Sequence, residues 1–127
     1  MDPEPFAKDI HHWAKKAEII VPLRHPRSVA IGWKSREKRL DWLDAQWKFL
    51  KEKVDPYNPF YLPIDRPDKD AWLRKINMAL ETDFTTDWPV IGQYSGEYAE
   101  LDEKDERWVK TWMKDGFFKR FGYDYEN

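Results

Sequence analysis

Residues 19–30 read Ile19-Ile20-Val21-Pro22-Leu23-Arg24-His25-Pro26-Arg27-Ser28-Val29-Ala30. The run from Glu18 to Leu23 is short, apolar and rich in β-branched residues, which predicts a buried strand. Pro22 has no N–H for a ladder, so this strand lies at an edge, is bulged, or ends early. His25-Pro26 turns the chain, and Pro26 suits the first position of a helix. That helix is predicted to run through Trp33 to about residue 36 or 38. A strand that ends on an arginine and turns into a helix start suits an anion. The helix offers free N–H groups and the positive end of its dipole, Arg24 adds a cation, and Ser28 adds a hydroxyl. On spacing alone a plainer reading stands beside it, with Arg24 paired to a carboxylate and Ser28 merely in the first turn.

Upstream, Ile10, Trp13, Ala14 and Ala17 fall at the spacing of an amphipathic helix. Downstream, Leu40, Leu43, Trp47, Leu50 and Val54 form the strongest helical stripe in the chain, too short for a dimerising coiled coil. Asp55-Pro56-Tyr57-Asn58-Pro59 is a turn cluster. Phe60-Tyr61-Leu62-Pro63-Ile64 predicts a second strand, again with a proline. Asp65 is the expected cap of a helix starting near Pro67 and carrying Trp72, Leu73, Ile76 and Leu80. Residues 84–98 read as irregular. Asp102 begins the last helix, whose apolar face is Trp108, Val109, Trp112 and Met113, with Gly116 as its stop. The expected fold is α/β and mostly helical, with about two short parallel strands flanked by four or five helices. Strands this apolar are expected to be buried on both faces, as parallel strands are.

The 127 residues suit a single domain spanning 1–127. Aromatic residues make up 17% of the chain, including eight Trp, too many for a solvated disordered segment. The 22 Lys and Arg are balanced by 24 Asp and Glu, so general nucleic-acid binding is not expected. The absence of cysteine excludes disulfides, Cys-ligated metal and thiol nucleophiles. No apolar run approaches a membrane span and Met-Asp-Pro-Glu-Pro is no signal peptide, so a cytoplasmic protein is expected.

The segment Leu23-Arg24-His25-Pro26-Arg27-Ser28-Val29-Ala30-Ile31-Gly32-Trp33-Lys34-Ser35-Arg36 resembles the 3′-phosphate-binding strand–turn–helix of sulfotransferases that use 3′-phosphoadenosine-5′-phosphosulfate. Leu43-Asp44-Ala45-Gln46-Trp47, Tyr61-Leu62-Pro63-Ile64-Asp65, Thr85-Thr86-Asp87-Trp88-Pro89 and Phe118-Lys119-Arg120-Phe121 are similar to further stretches of such proteins, of the kind found in bacteriophage genomes. The resemblance implies the C-terminal half of a P-loop-type sulfotransferase fold. It implies Arg24, with Ser28 beside it, as a remnant of the 3′-phosphate site. The family's serine, eight residues after the arginine, is here Gly32. The family's N-terminal phosphosulfate loop has no counterpart, since no Gly-rich stretch precedes a Lys and Ser/Thr pair. Its general base and its closing Arg-Lys-Gly loop are missing as well.

Those departures predict a chain that does no sulfuryl transfer alone and holds no cofactor of its own. It is expected to be a structural or interaction protein, in a phage particle or a phage–host complex. Two alternatives remain open. One is half of a split sulfotransferase, taking 3′-phosphoadenosine-5′-phosphosulfate once a partner chain supplies the loop. The other is an inhibitor or binder of a host protein. His11 and His12 read as surface residues, since an i, i+1 pair shares no helix face for a metal, and His25 as a turn residue. Asp65, Asp68 and Asp70 lack the glycine and terminal Glu of a calcium loop and read as caps. Eight tryptophans and two short strands with open edges predict an aromatic patch near Trp13 and Trp33. A partner or a second copy would cover it.

Overall fold

The computed structural model describes residues 10–12, 17–85 and 101–125. The decisive stretch folds as strand, turn and helix: β1 is Ile20–Leu23 and α1 is Pro26–Lys34. Next come α2 (Leu40–Phe49), a π-helical turn (Leu50–Val54) and a 3₁₀ turn (Asp55–Tyr57). β2 is Phe60–Pro63, α3 is Lys69–Leu80 and α4 is Glu103–Lys114, followed by a 3₁₀ turn at Phe118–Phe121. The protein is mixed α/β, mostly helical, and its two strands pair in parallel with Ile20 opposite Phe60 and Leu23 opposite Pro63. Residues 10–12 are helical, whereas Trp13 and the irregular stretch from residue 86 to 98 lie outside the described residues.

The hydrogen bonds explain why both strands tolerate a proline. Phe60 N–H donates to Ile19 O at 2.8 Å and Ile64 N–H to Leu23 O at 2.9 Å. Backbone groups alternate along a parallel ladder, so Pro22 and Pro63 both face the outer edges. A missing N–H costs nothing inside the pair and blunts each outer edge against a further strand. The edges expected to recruit another chain are therefore interrupted at Pro22 in β1 and at Pro63, the last residue of β2.

Side chains alternate as well. Val21, Leu23 and Tyr61 enter the main core with Ala30, Leu40, Leu43, Val109, Trp112, Met113, Phe117, Phe118, Phe121 and Tyr123. Phe60, Leu62 and Ile64 pack on the other face against Leu73, Ile76, Trp72 and Leu80 of α3. β2 is thus sandwiched between α3 and a layer made of α1, α2, α4 and the aromatic tail. β1 is covered on one face only: Ile20 and Pro22 are exposed, so the expected burial of both strands on both faces holds for β2 and not for β1. Trp47 of the α2 stripe meets the Phe118 ring edge-on at 5.3 Å and the Trp112 ring at 6.1 Å. Trp33 also packs against this core, and its indole N–H donates to Arg39 O at 2.9 Å. Trp33 is thus half-buried, and Trp13, the other residue of the expected patch, lies outside the described residues. Among the described residues, the large apolar side chains that are exposed are Ile20, Trp42, Tyr57, Met78 and Phe84.

One helix start follows the sequence pattern and another departs from it. Asp102 caps α4, its Oδ1 accepting the Asp105 N–H at 2.8 Å, as expected. Helix α3 begins at Lys69 rather than near Pro67, with Asp68 at the cap position. Asp65 is drawn away from capping because two buried donors at the strand ends need its carboxylate, the backbone N–H of His25 and the hydroxyl of Tyr123.

Phe118 has no exposed surface and sits where the tail meets α2. Phe118→Ala is expected to cost about 3–5 kcal/mol in urea unfolding, whereas Met78→Ala on the open face of α3 costs less than about 0.5 kcal/mol. Equal losses for the two would contradict this placement of the core.

Candidate functional site

In parallel α/β sheets ligands bind beyond the carboxyl ends of the strands. Here that position holds Arg24 and His25 after β1, Asp65 and Arg66 after β2, and the tail residues Gly122, Tyr123 and Asp124. The Asp65 carboxylate accepts the His25 N–H at 2.8 Å and the Tyr123 hydroxyl. The same hydroxyl lies 3.3 Å from Leu23 O, the carbonyl that also accepts the Ile64 N–H. Arg66 Nη1 donates to Gly122 O at 2.8 Å, and its guanidinium lies over the Tyr123 ring at 5.9 Å. Gly122 has φ +86°, and a Cβ there would come within 2.9 Å of Arg66, so glycine suits this turn on both counts.

The turn histidine is a helix cap. Its Nδ1 accepts the Arg27 N–H at 3.0 Å, so Nε2 carries the proton and donates to Asp124 O. With its lone pair engaged in the cap, His25 has no free base to offer a substrate. His11 is exposed, and its Nδ1 pairs with the Tyr57 hydroxyl. His12 is exposed as well.

Arg24 and Ser28 lie where the anion reading places them, at the end of β1 and in the first turn of α1. Arg24 is partly buried, and its Nε is solvent-inaccessible without a hydrogen-bond partner. It makes no ion pair among the described residues. Of the four N–H positions that open α1, His25 is bonded to Asp65, Pro26 has none, and Arg27 is bonded to the His25 ring. Ser28 alone is left. A Cβ built on Gly32 meets no heavy atom within 4 Å, so packing does not exclude a serine there.

A second polar cluster ties α1 to α4 and the tail. Arg27 Nη2 donates to Glu106 Oε1 at 2.9 Å, and the Tyr125 hydroxyl donates to Oε2. Burial pushes the Glu106 carboxyl up, but the bonds from Tyr125 and Arg27 outweigh it and hold the group below its ordinary range. Beside it, a cleft of about 320 Å³ lies between α1, α2 and α4. Lys34, Arg39 and Lys104 line it together with Asp41, Asp102 and Asp105, so its charges balance. Lys34 Nζ stands 3.3 Å from Asp105 Oδ2.

No group of three or more His, Asp or Glu side chains is arranged to hold a metal among the described residues. No helix among them is long and apolar enough to cross a membrane. Comparison with family models, curated proteins and solved structures finds no match. Sequence reasoning located Arg24 but missed Asp65, Arg66 and Tyr123 as its neighbours at the sheet end. The available signal was the repeat of an ionic residue directly after each strand.

Burial first, and then the bond to Asp65, raise the Tyr123 phenol well above its ordinary range. A raised folded value means that the stabilisation is fully present below the unfolded pKa near 10 and is lost as pH rises beyond it. Tyr123→Phe is therefore expected to weaken the fall in stability above about pH 10, and to cost about 1–3 kcal/mol at neutral pH by removing one of the two donors to the Asp65 carboxylate. Denaturant melts at both pH values check this, and parallel curves for variant and parent would contradict it.

Proposed function

We propose that the chain is a non-catalytic, sulfotransferase-like unit that works as a structural or interaction protein, in a phage particle or a phage–host complex. The observation that carries this reading is the closed sheet end. The Asp65 carboxylate sits on the His25 N–H where a phosphate would bind, and Tyr123 and Asp124 cover the strand ends. Sulfuryl transfer needs a dense set of preorganised donors around the moving group. The first turn of α1 has only the Ser28 N–H left, its other donors being used by the chain itself. The likeness of residues 23–36 to the 3′-phosphate segment supports the origin of the unit, and Gly32 in the serine position supports loss of the contact.

One observation favours the split-enzyme reading. The Arg24 Nε is buried without a partner, and a partner chain completing an anion site would satisfy it. Pro22 and Pro63 weigh against such a chain joining through the sheet, because each removes a donor from an outer edge.

Purified protein given radiolabelled 3′-phosphoadenosine-5′-phosphosulfate and a panel of phenol, alcohol and amine acceptors is expected to transfer nothing. Calorimetry with adenosine 3′,5′-bisphosphate should show no binding to the parent or to Gly32→Ser. Turnover would overturn the proposal. Micromolar binding that tightens in Gly32→Ser and vanishes in Arg24→Ala would establish the split-site reading instead.

A further inference from the structure

At the amino end of β2, opposite the Arg24 end of the sheet, lies an open cleft of about 350 Å³. Its walls are the rings of Phe60, Tyr61, Trp72 and Phe121, and its ionic lining residues are Lys75 and Arg120. No carboxylate lines it, in contrast to the balanced cleft beside α4. The Lys75 ammonium stands 5.2 Å from the Trp72 ring centroid and has no carboxylate partner among the described residues. Arg120 lies over the Tyr61 and Phe121 rings at 5.6 and 5.2 Å, and Asp55 behind it holds Nη1 at 3.1 Å from both oxygens. The Tyr61 hydroxyl is turned to Asp55 as well, at 2.6 Å. Asp55 thus fixes the orientation of both groups and offsets the charge of Arg120, which leaves Lys75 as the uncompensated cation on the rim among the described residues.

We propose that this cleft docks a segment of a partner protein that presents an aromatic side chain flanked by carboxylates. The inference rests on the interaction reading above and names the partner's chemistry. An aromatic anchor gains most where it is enclosed by rings at an interface centre. Carboxylates beside it complement Lys75, whose ammonium is compensated, among the described residues, by the Trp72 ring face alone. An amine-bearing or basic segment meets the like charge of Lys75 there.

The test uses the ¹⁵N-labelled full chain and the peptide Gly-Ser-Asp-Trp-Glu-Ser-Gly. Saturable shifts are expected at the Trp72 indole N–H and the Phe60 and Ile76 amides. A peptide with Asn and Gln in place of the acids, and another with Ala in place of Trp, should bind about tenfold more weakly. Lys75 is exposed, and Lys75→Glu should weaken the parent peptide about tenfold while the rest of the spectrum is unchanged. Shifts absent from these three positions, equal binding of the neutral peptide, or an unaffected Lys75→Glu variant would each overturn the proposal. Shifts at these peaks on raising protein concentration alone would assign the cleft to a second copy instead. Failure of the peptide without sulfuryl transfer sinks this site and leaves the interaction reading, whereas turnover sinks that reading whatever the peptide does.

Discussion

Two parallel strands of four residues each cannot hold a fold in water by themselves, and the aromatic tail supplies what they lack. Phe117, Phe118, Phe121 and Tyr123 are all buried, and they fill the space between the strand pair and helices α2 and α4. The tail ends on a polar lock. The Tyr123 hydroxyl reaches Asp65 and Leu23 O, and His25 and Arg66 bond the backbone of Asp124 and Gly122. Both strands, the start of α1 and the chain end therefore meet at one point.

That meeting point has a chemical consequence. The carboxyl end of a parallel sheet is where such folds place their ligands, and here intramolecular partners use its donors. Asp65 serves as the internal anion and the His25 ring as the internal cap. Arg24 is left beside them with a buried, unmatched Nε, and its cost of order 1–3 kcal/mol is tolerable within so many burials. Most backbone donors at one pole of the sheet are taken by the chain itself, while an aromatic cleft lined by Lys75 and Arg120 opens at the other.

Much of this was legible in the residues. The 3,4 spacing of Leu40, Leu43, Trp47, Leu50 and Val54 gave the α2 face, although the stripe crosses from α-helix into a π-turn without changing period. The apolar runs around Val21 and Tyr61 gave both strands and their parallel pairing. Period-two patterns carry no information on which edge a backbone group faces. The outward placement of Pro22 and Pro63 emerged only from the register. Asp65 looked like a helix cap because capping is local, whereas its actual donors come from positions 40 and 58 residues away. Tryptophan content does not encode how deep each indole sits: Trp112 is buried, whereas Trp33 is half-buried.

The central claim is that tail and sheet form one cooperative unit. Native-state amide exchange tests it most directly, comparing Tyr123, whose N–H bonds Phe118 O, with Ile64, whose N–H bonds Leu23 O. The account predicts that both amides exchange with the free energy of global unfolding and the same denaturant dependence. Exchange of Tyr123 by low-energy fraying, with Ile64 still protected at the global value, would contradict it.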